Sequence, residues 1–229
     1  MKFRLILMTL VILMVSSVNA QKKDWAKLDR YAEANKELGL PKKGEHRVVF
    51  LGNSITENWA GMRPEFFRNN GYIGRGISGQ TSYQFLVRFR QDVIDLKPET
   101  VVINVGTNDL AENTHPFNLE RTMGNIKTMV ELARCHGINV VLTTVLPVTQ
   151  FKWNASITDA PERVRRLNAA IEKYAKDEKL PFVDYYSAMA YGKDGIMNPA
   201  YSEDGVHPNH AGYAAMEPVI HNFLQSRKK

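Results

Sequence analysis

Short, almost unbroken apolar runs alternate along this chain with longer stretches whose apolar positions recur every three or four residues. The short runs lie at 47–51, 72–77, 101–105, 138–146 and 182–185. Each has strand length, and the first (Arg47-Val48-Val49-Phe50-Leu51) is nearly continuous in apolar side chains, as expected of a strand covered on both faces. The longer stretches predict helices at 24–38, 57–69, 81–96, 118–136, 161–180 and 209–226. Gly39 and Pro41 stop the first helix, Pro98 lies just past the third and Gly137 closes the fourth, while Pro218 is expected to bend the last. Five strands separated by helices predict an α/β domain, a parallel sheet with helices on both faces. Ligands of such sheets bind beyond the carboxyl ends of the strands.

The first twenty residues follow a different pattern. A basic start (Lys2, Arg4) leads into an apolar run at 5–15 interrupted only by Thr9, then into Ser16-Ser17-Val18-Asn19-Ala20. This is the layout of a secretory signal cleaved after Ala20, and the run is short for a membrane span. The reading is therefore a signal peptide at 1–20 and a single domain at 21–229, exported to the periplasm or outside. No cysteine follows the run, so no stable membrane anchor is expected after cleavage.

Composition narrows the class further. With 44% hydrophobic and 24% charged residues in 229, the chain holds enough apolar surface for one packed core and is not a disordered polymer. The formal charge of +6 is spread in short clusters, none interleaved with aromatics, which argues against a nucleic-acid partner. One cysteine, Cys135, excludes an internal disulfide framework and is read as a small packed residue. His207 and His210 lack a third nearby ligand, so no metal is expected.

Candidate chemistry clusters just after the predicted strands. Ser54 follows the first strand; there its hydroxyl either stands exposed at a sharp turn as a nucleophile or caps the next helix. Asp204 and His207, three apart with Gly205 between them, form an orienting carboxylate and a base if the segment is a tight loop. Asn108 follows the third strand and Gly79 the second; an amide and a closely approaching backbone N–H are both oxyanion donors, and both residues are also ordinary turn formers. Trp59, five residues after Ser54, either lines a substrate subsite or packs.

Taken together, these segments resemble the SGNH (GDSL-like) hydrolases over roughly residues 46–225. Gly52-Asn53-Ser54-Ile55, Arg75-Gly76-Ile77-Ser78-Gly79-Gln80-Thr81, Gly106-Thr107-Asn108-Asp109 and Asp204-Gly205-Val206-His207-Pro208 match that family's four blocks in order. The resemblance implies a flavodoxin-like three-layer α/β/α fold and ester hydrolysis without a cofactor or metal. It also implies a Ser54-His207-Asp204 triad, with Ser54, Gly79 and Asn108 as oxyanion donors. One departure stands out: the family's usual Asp before the serine is Asn53 here. A compact exported hydrolase with no room for a large lid suggests a small-molecule or glycan ester substrate, such as an acetylated carbohydrate. The alternatives are a lysophospholipase or thioesterase for longer acyl chains, and a non-catalytic glycan-binding module on the same fold.

Overall fold

The computed structural model describes residues 24–227; the signal segment read at 1–20 lies outside the described residues. Five parallel strands form the central sheet: β1 (Val48–Gly52), β2 (Tyr72–Gly76), β3 (Thr100–Ile103), β4 (Asn139–Thr143) and β5 (Phe182–Val183). Their spatial order is β2-β1-β3-β4-β5, with Val48 level with both Tyr72 and Thr100, and Thr100 level with Asn139. The chain steps outward from β1 to β2 and then returns to the other side of β1 for β3. The crevice at such a reversal is the usual ligand site of an open α/β sheet.

Strand alternation explains the two cores. Val49, Leu51, Val101, Ile103, Val140 and Leu142 point to one face and pack against α4 (Ser82–Asp92), α6 (Leu119–Cys135) and α7 (Ala160–Asp177). Val48, Phe50, Val102, Val141 and Val183 point to the other. There they meet α2 (Ser54–Met62), α3 (Pro64–Asn70), α8 (Tyr185–Met189) and α9 (His210–Ser226). Both faces are buried, so the strands read as unbroken apolar runs. The architecture is thus the expected three-layer α/β/α fold.

Several expected boundaries move, each for a local reason. The helix expected at 24–38 is a 3-10 turn (Leu28–Tyr31) followed by α1 (Ala32–Leu38). Lys27 is left-handed (φ 51°, ψ 51°), which keeps residues 24–27 out of the helix, and the carbonyls of Trp25, Ala26 and Leu28 accept side-chain N–H groups of Gln84, Gln80 and Gln91. Residues 24–38 are therefore a strap bound to α4. The helix expected at 57–69 starts three residues earlier and splits into α2 and α3 at Arg63, because the residue before Pro64 is pushed out of the helical region (φ −129°, ψ 53°). The last helix runs through Pro218. Four elements had no signal in the periodicity: α5 (Thr107–Leu110), α8, and a small antiparallel pair of β6 (Ala190–Tyr191) and β7 (Ile196–Met197). Cys135 is exposed rather than packed. Among the described residues, no helix is long and apolar enough to cross a membrane.

A buried guanidinium joins the strand ends. Arg88 on α4 is 0% exposed and pairs with Asp92 at 2.9 Å. It also donates to the carbonyl of Gly52 (2.8 Å), the carbonyl of Arg75 (3.0 Å) and the Gln80 side chain (2.6 Å). A planar fork with five N–H donors suits this arrangement; a lysine ammonium could not reach all of it. Removing the fork leaves Asp92 buried with, among the described residues, only the Asn35 amide (3.0 Å) as a side-chain donor. Arg88→Ala is expected to cost about 3–5 kcal/mol of unfolding free energy, read from the urea midpoint. A loss below about 1 kcal/mol would show that water replaces the fork.

Candidate active site

Ser54 is the first residue of α2, directly beyond β1. The helix cap is Asn53, whose Oδ1 accepts from the Ile55 N–H at 3.0 Å. That resolves the two uses open to Ser54: with the cap supplied by its neighbour, its hydroxyl is free and lies 2.9 Å from His207 Nε2. Asn53 thus supplies a capping oxygen where the family usually has Asp. Its amide nitrogen, by contrast, is buried and has no hydrogen-bond partner among the described residues. Close packing of α2 on the sheet depends on Gly76 at the end of β2, where a Cβ would sit 2.2 Å from the Glu57 backbone nitrogen.

Asp204 and His207 share a tight loop before α9. Asp204 Oδ2 is 2.6 Å from His207 Nδ1. Its other oxygen accepts the backbone N–H groups of Val206 and His207, both at 2.8 Å, and the Ser202 hydroxyl at 3.1 Å. Gly205 makes the turn possible: its φ is +82°, and a Cβ there would sit 2.8 Å from the Thr149 side chain. Partial burial pushes the Asp204 carboxyl up, but the His207 ring and the two N–H donors outweigh it and bring the pKa down to about 2. The group thus stays ionised across the working pH range, and its stabilisation of the fold is lost only as pH falls from about 4 towards 2. Ionised Asp204 holds the proton on His207 Nδ1 and leaves Nε2 to face the serine.

Asn108, in α5 beyond β3, donates one amide hydrogen to the Gln80 carbonyl at 2.9 Å and lines the cleft above Ser54. Gly79 lines it too, and among the described residues no protein acceptor takes the N–H of Gly79 or of Ser54. The remaining lining residues are Asn58, Ser78, Asn113, Trp153 and His207, around an open space of about 380 Å³. No aliphatic side chain is among them.

The subsite reading of Trp59 is corrected. Its indole is 2% exposed, stacked between Phe66 (5.3 Å, 7°) and Tyr213 (5.7 Å, 15°) in the core on the buried side of α2. The tryptophan that reaches the cleft is Trp153, beyond β4, whose ring centre is 6.1 Å from that of His207. Sequence reasoning missed Trp153, Asn113, Asn58 and Ser78. Asn58 alone carried a signal, one helical turn after Ser54. Among the described residues, no three His, Cys, Asp or Glu side chains gather as a metal site.

The sequence model of the GDSL-like lipase/acylhydrolase family matches residues 50–215. The chain belongs to that family. A solved structure of a GDSL-like lipase from Bacteroides thetaiotaomicron shares 54% identity, covering 89% of this chain and 99% of that one with a TM-score of 0.87. Esterase TesA of Pseudomonas aeruginosa is 25% identical over 189 residues, 81% of this chain and 85% of its own length. An acetylxylan esterase of Xylanibacter ruminicola is 22% identical over 221 residues, 81% of this chain and 44% of its own length. The chain spans about half the length of two of the curated relatives it matches (53% and 44%). Carboxylic ester hydrolysis is the class of reaction that membership assigns to this acylhydrolase.

One buried acid supports the site from behind. Asp109 accepts the Ser82 hydroxyl, the Ser82 N–H (3.0 Å) and the Thr122 hydroxyl (3.3 Å). Burial outweighs these donors and pushes its carboxyl up to about 6. A folded-state pKa raised above its ordinary value contributes stability that is complete below about pH 4 and lost as pH rises through 6. Ser82→Ala removes a hydrogen bond to a charged acceptor at pH 8, a cost of about 2 kcal/mol. At pH 4.5, where Asp109 is protonated, the cost is expected to fall to about half; the rest comes from the Asn125 amide that donates to Ser82 Oγ. Urea midpoints at the two pH values check this, and equal losses would refute the ionisation of Asp109.

Proposed function

We propose that the protein is a serine esterase of short acyl groups, in which Ser54 attacks the ester carbonyl. His207 takes the serine proton and passes it to the leaving alcohol; Asp204 orients the imidazole and stabilises its cation. The N–H groups of Ser54 and Gly79 and the second Asn108 amide hydrogen bind the carbonyl oxygen as it becomes an oxyanion. The positive end of α2 adds to that field. Water then enters the open cleft, gives its proton to His207 and releases the acid from the acyl-serine.

The observation that carries the reading is the hydrogen-bonded chain from Ser54 through His207 to Asp204 on the floor of a cleft without aliphatic lining. A long acyl chain would find no apolar wall but the one Trp153 ring, and burying each methylene is worth about 0.8 kcal/mol. An acetyl group needs no such wall. The acetylxylan esterase relative supports an acetylated carbohydrate as the substrate class. The leader pattern at 1–20 supports export of the domain.

Rates on p-nitrophenyl esters from acetate to long chains test the proposal, with Ser54→Ala and Asn108→Ala alongside. Activity should be highest on acetate, vanish in Ser54→Ala, and fall about 10²–10³-fold in kcat in Asn108→Ala. Asn108→Ala should lose only about 1 kcal/mol of stability, because its bond to the Gln80 carbonyl is a single neutral one. An optimum on long chains would move the protein to the lysophospholipase or thioesterase class. Full turnover in a folded Asn108→Ala protein would remove that residue from the oxyanion site.

A further inference from the structure

The serine, the imidazole and the oxyanion donors fix the acyl carbon and leave the alcohol to be placed. His207 must protonate the leaving oxygen, so the alcohol sits on the imidazole side of the acyl carbon. The carbonyl oxygen sits on the opposite side, towards Gly79 and Asn108. The large side chain beside His207 is Trp153, its ring tilted 36° to the imidazole.

Trp153 is 47% exposed, yet it is held like a buried residue. Its indole N–H donates to Asn113 Oδ1 at 2.9 Å. Its ring rests 5.3 Å from Phe151, which is 1% exposed. The Asn113 amide nitrogen donates in turn to the Gly79 carbonyl at 3.2 Å. One asparagine therefore spans from the indole edge to the turn that carries Gly79 into the cleft. An exposed aromatic ring ordinarily keeps its rotamer freedom; this one has given it up before any ligand arrives, which lowers the cost of binding against it.

We infer that Trp153 is the platform for the alcohol part of the substrate, and that this alcohol is a sugar ring. The inference rests on the serine-esterase reading above. A pyranose or furanose presents a flat face of C–H groups that matches an indole in size, and a rim of hydroxyl groups that need partners when they leave water. The rest of the cleft supplies such partners: Asn58, Ser78 and Asn113 are amide or hydroxyl side chains, neutral at every working pH. A flexible aliphatic alcohol would find one ring and no trough. In the step itself the C–O bond between acyl carbon and sugar oxygen breaks, the Ser54 Oγ–acyl bond has formed, and the proton from Ser54 ends on the sugar hydroxyl.

The test compares kcat/KM for a mono-O-acetylated methyl xyloside with that for ethyl acetate, in the wild type, Trp153→Ala and Trp153→Phe. The selectivity ratio for the sugar ester should fall about tenfold or more in Trp153→Ala, with the change in KM, and recover in part in Trp153→Phe. An equal fall on both esters would overturn the inference, because it would mean that Trp153 acts by supporting His207 or Asn113. An unchanged ratio would overturn it by removing the contact. Acetylcholine preferred to the sugar ester by the wild type, with that preference lost in Trp153→Ala, would replace the sugar by a cationic alcohol. Failure of the parent reading looks different: no wild-type hydrolysis of any ester above Ser54→Ala, and no labelling of Ser54 by a fluorophosphonate, would overturn both.

Discussion

The turns that carry Ser54 and Gly79 are both tied to one buried cation. The Arg88 guanidinium ties the carbonyl that ends β1, a carbonyl of β2 and the Gln80 side chain into one rigid plane. Two residues beyond the first of these stands Ser54, and one residue before Gln80 stands Gly79. A charge this deep is tolerated because Asp92 lies within 2.9 Å and every remaining bond goes to an oxygen. The spacing between Ser54 and Gly79 is thus set from beneath by a side chain that never meets solvent. Glu57 repeats the connection from above, accepting the N–H and hydroxyl of Ser78 while pairing with Arg30 of the strap.

The two acids of the site are driven in opposite directions by the same physics. Asp109 is wholly buried, and the cost of its charge exceeds what its three donors return. Asp204 is only partly buried, and its donors win. The first braces α4 against α5, and the second stays an anion beside the His207 imidazole.

The layers, the parallel sheet and four polar loops on one rim were legible because both strand periodicity and block spacing are local signals. The Ser54, His207 and Asp204 side chains meet where those signals placed them. Trp59 was not legible, because an indole one turn and a half after a serine points either up or down, and only the aromatic cluster of Phe66, Phe67, Tyr185 and Tyr213 beneath the helix decides. Trp153 was missed for the complementary reason: it lies in a loop without periodicity, and its orientation comes from Asn113, forty residues away. The strap was not legible, because the glutamines that hold its carbonyls lie more than fifty residues away, where no local pattern reveals them.

The contact between Ser54 and His207 joins residues 153 apart, across most of the described chain. Contacts of such long range form late, since their loop-closure entropy must be met by structure already in place. Tyr213 on α9 adds a bond to the Ile55 carbonyl, so the last helix is fastened to the first residues of α2. The site is therefore assembled only by the completed chain: a form ending before the His207 loop and α9 would hold Ser54, Gly79 and Asn108 without the imidazole that faces them.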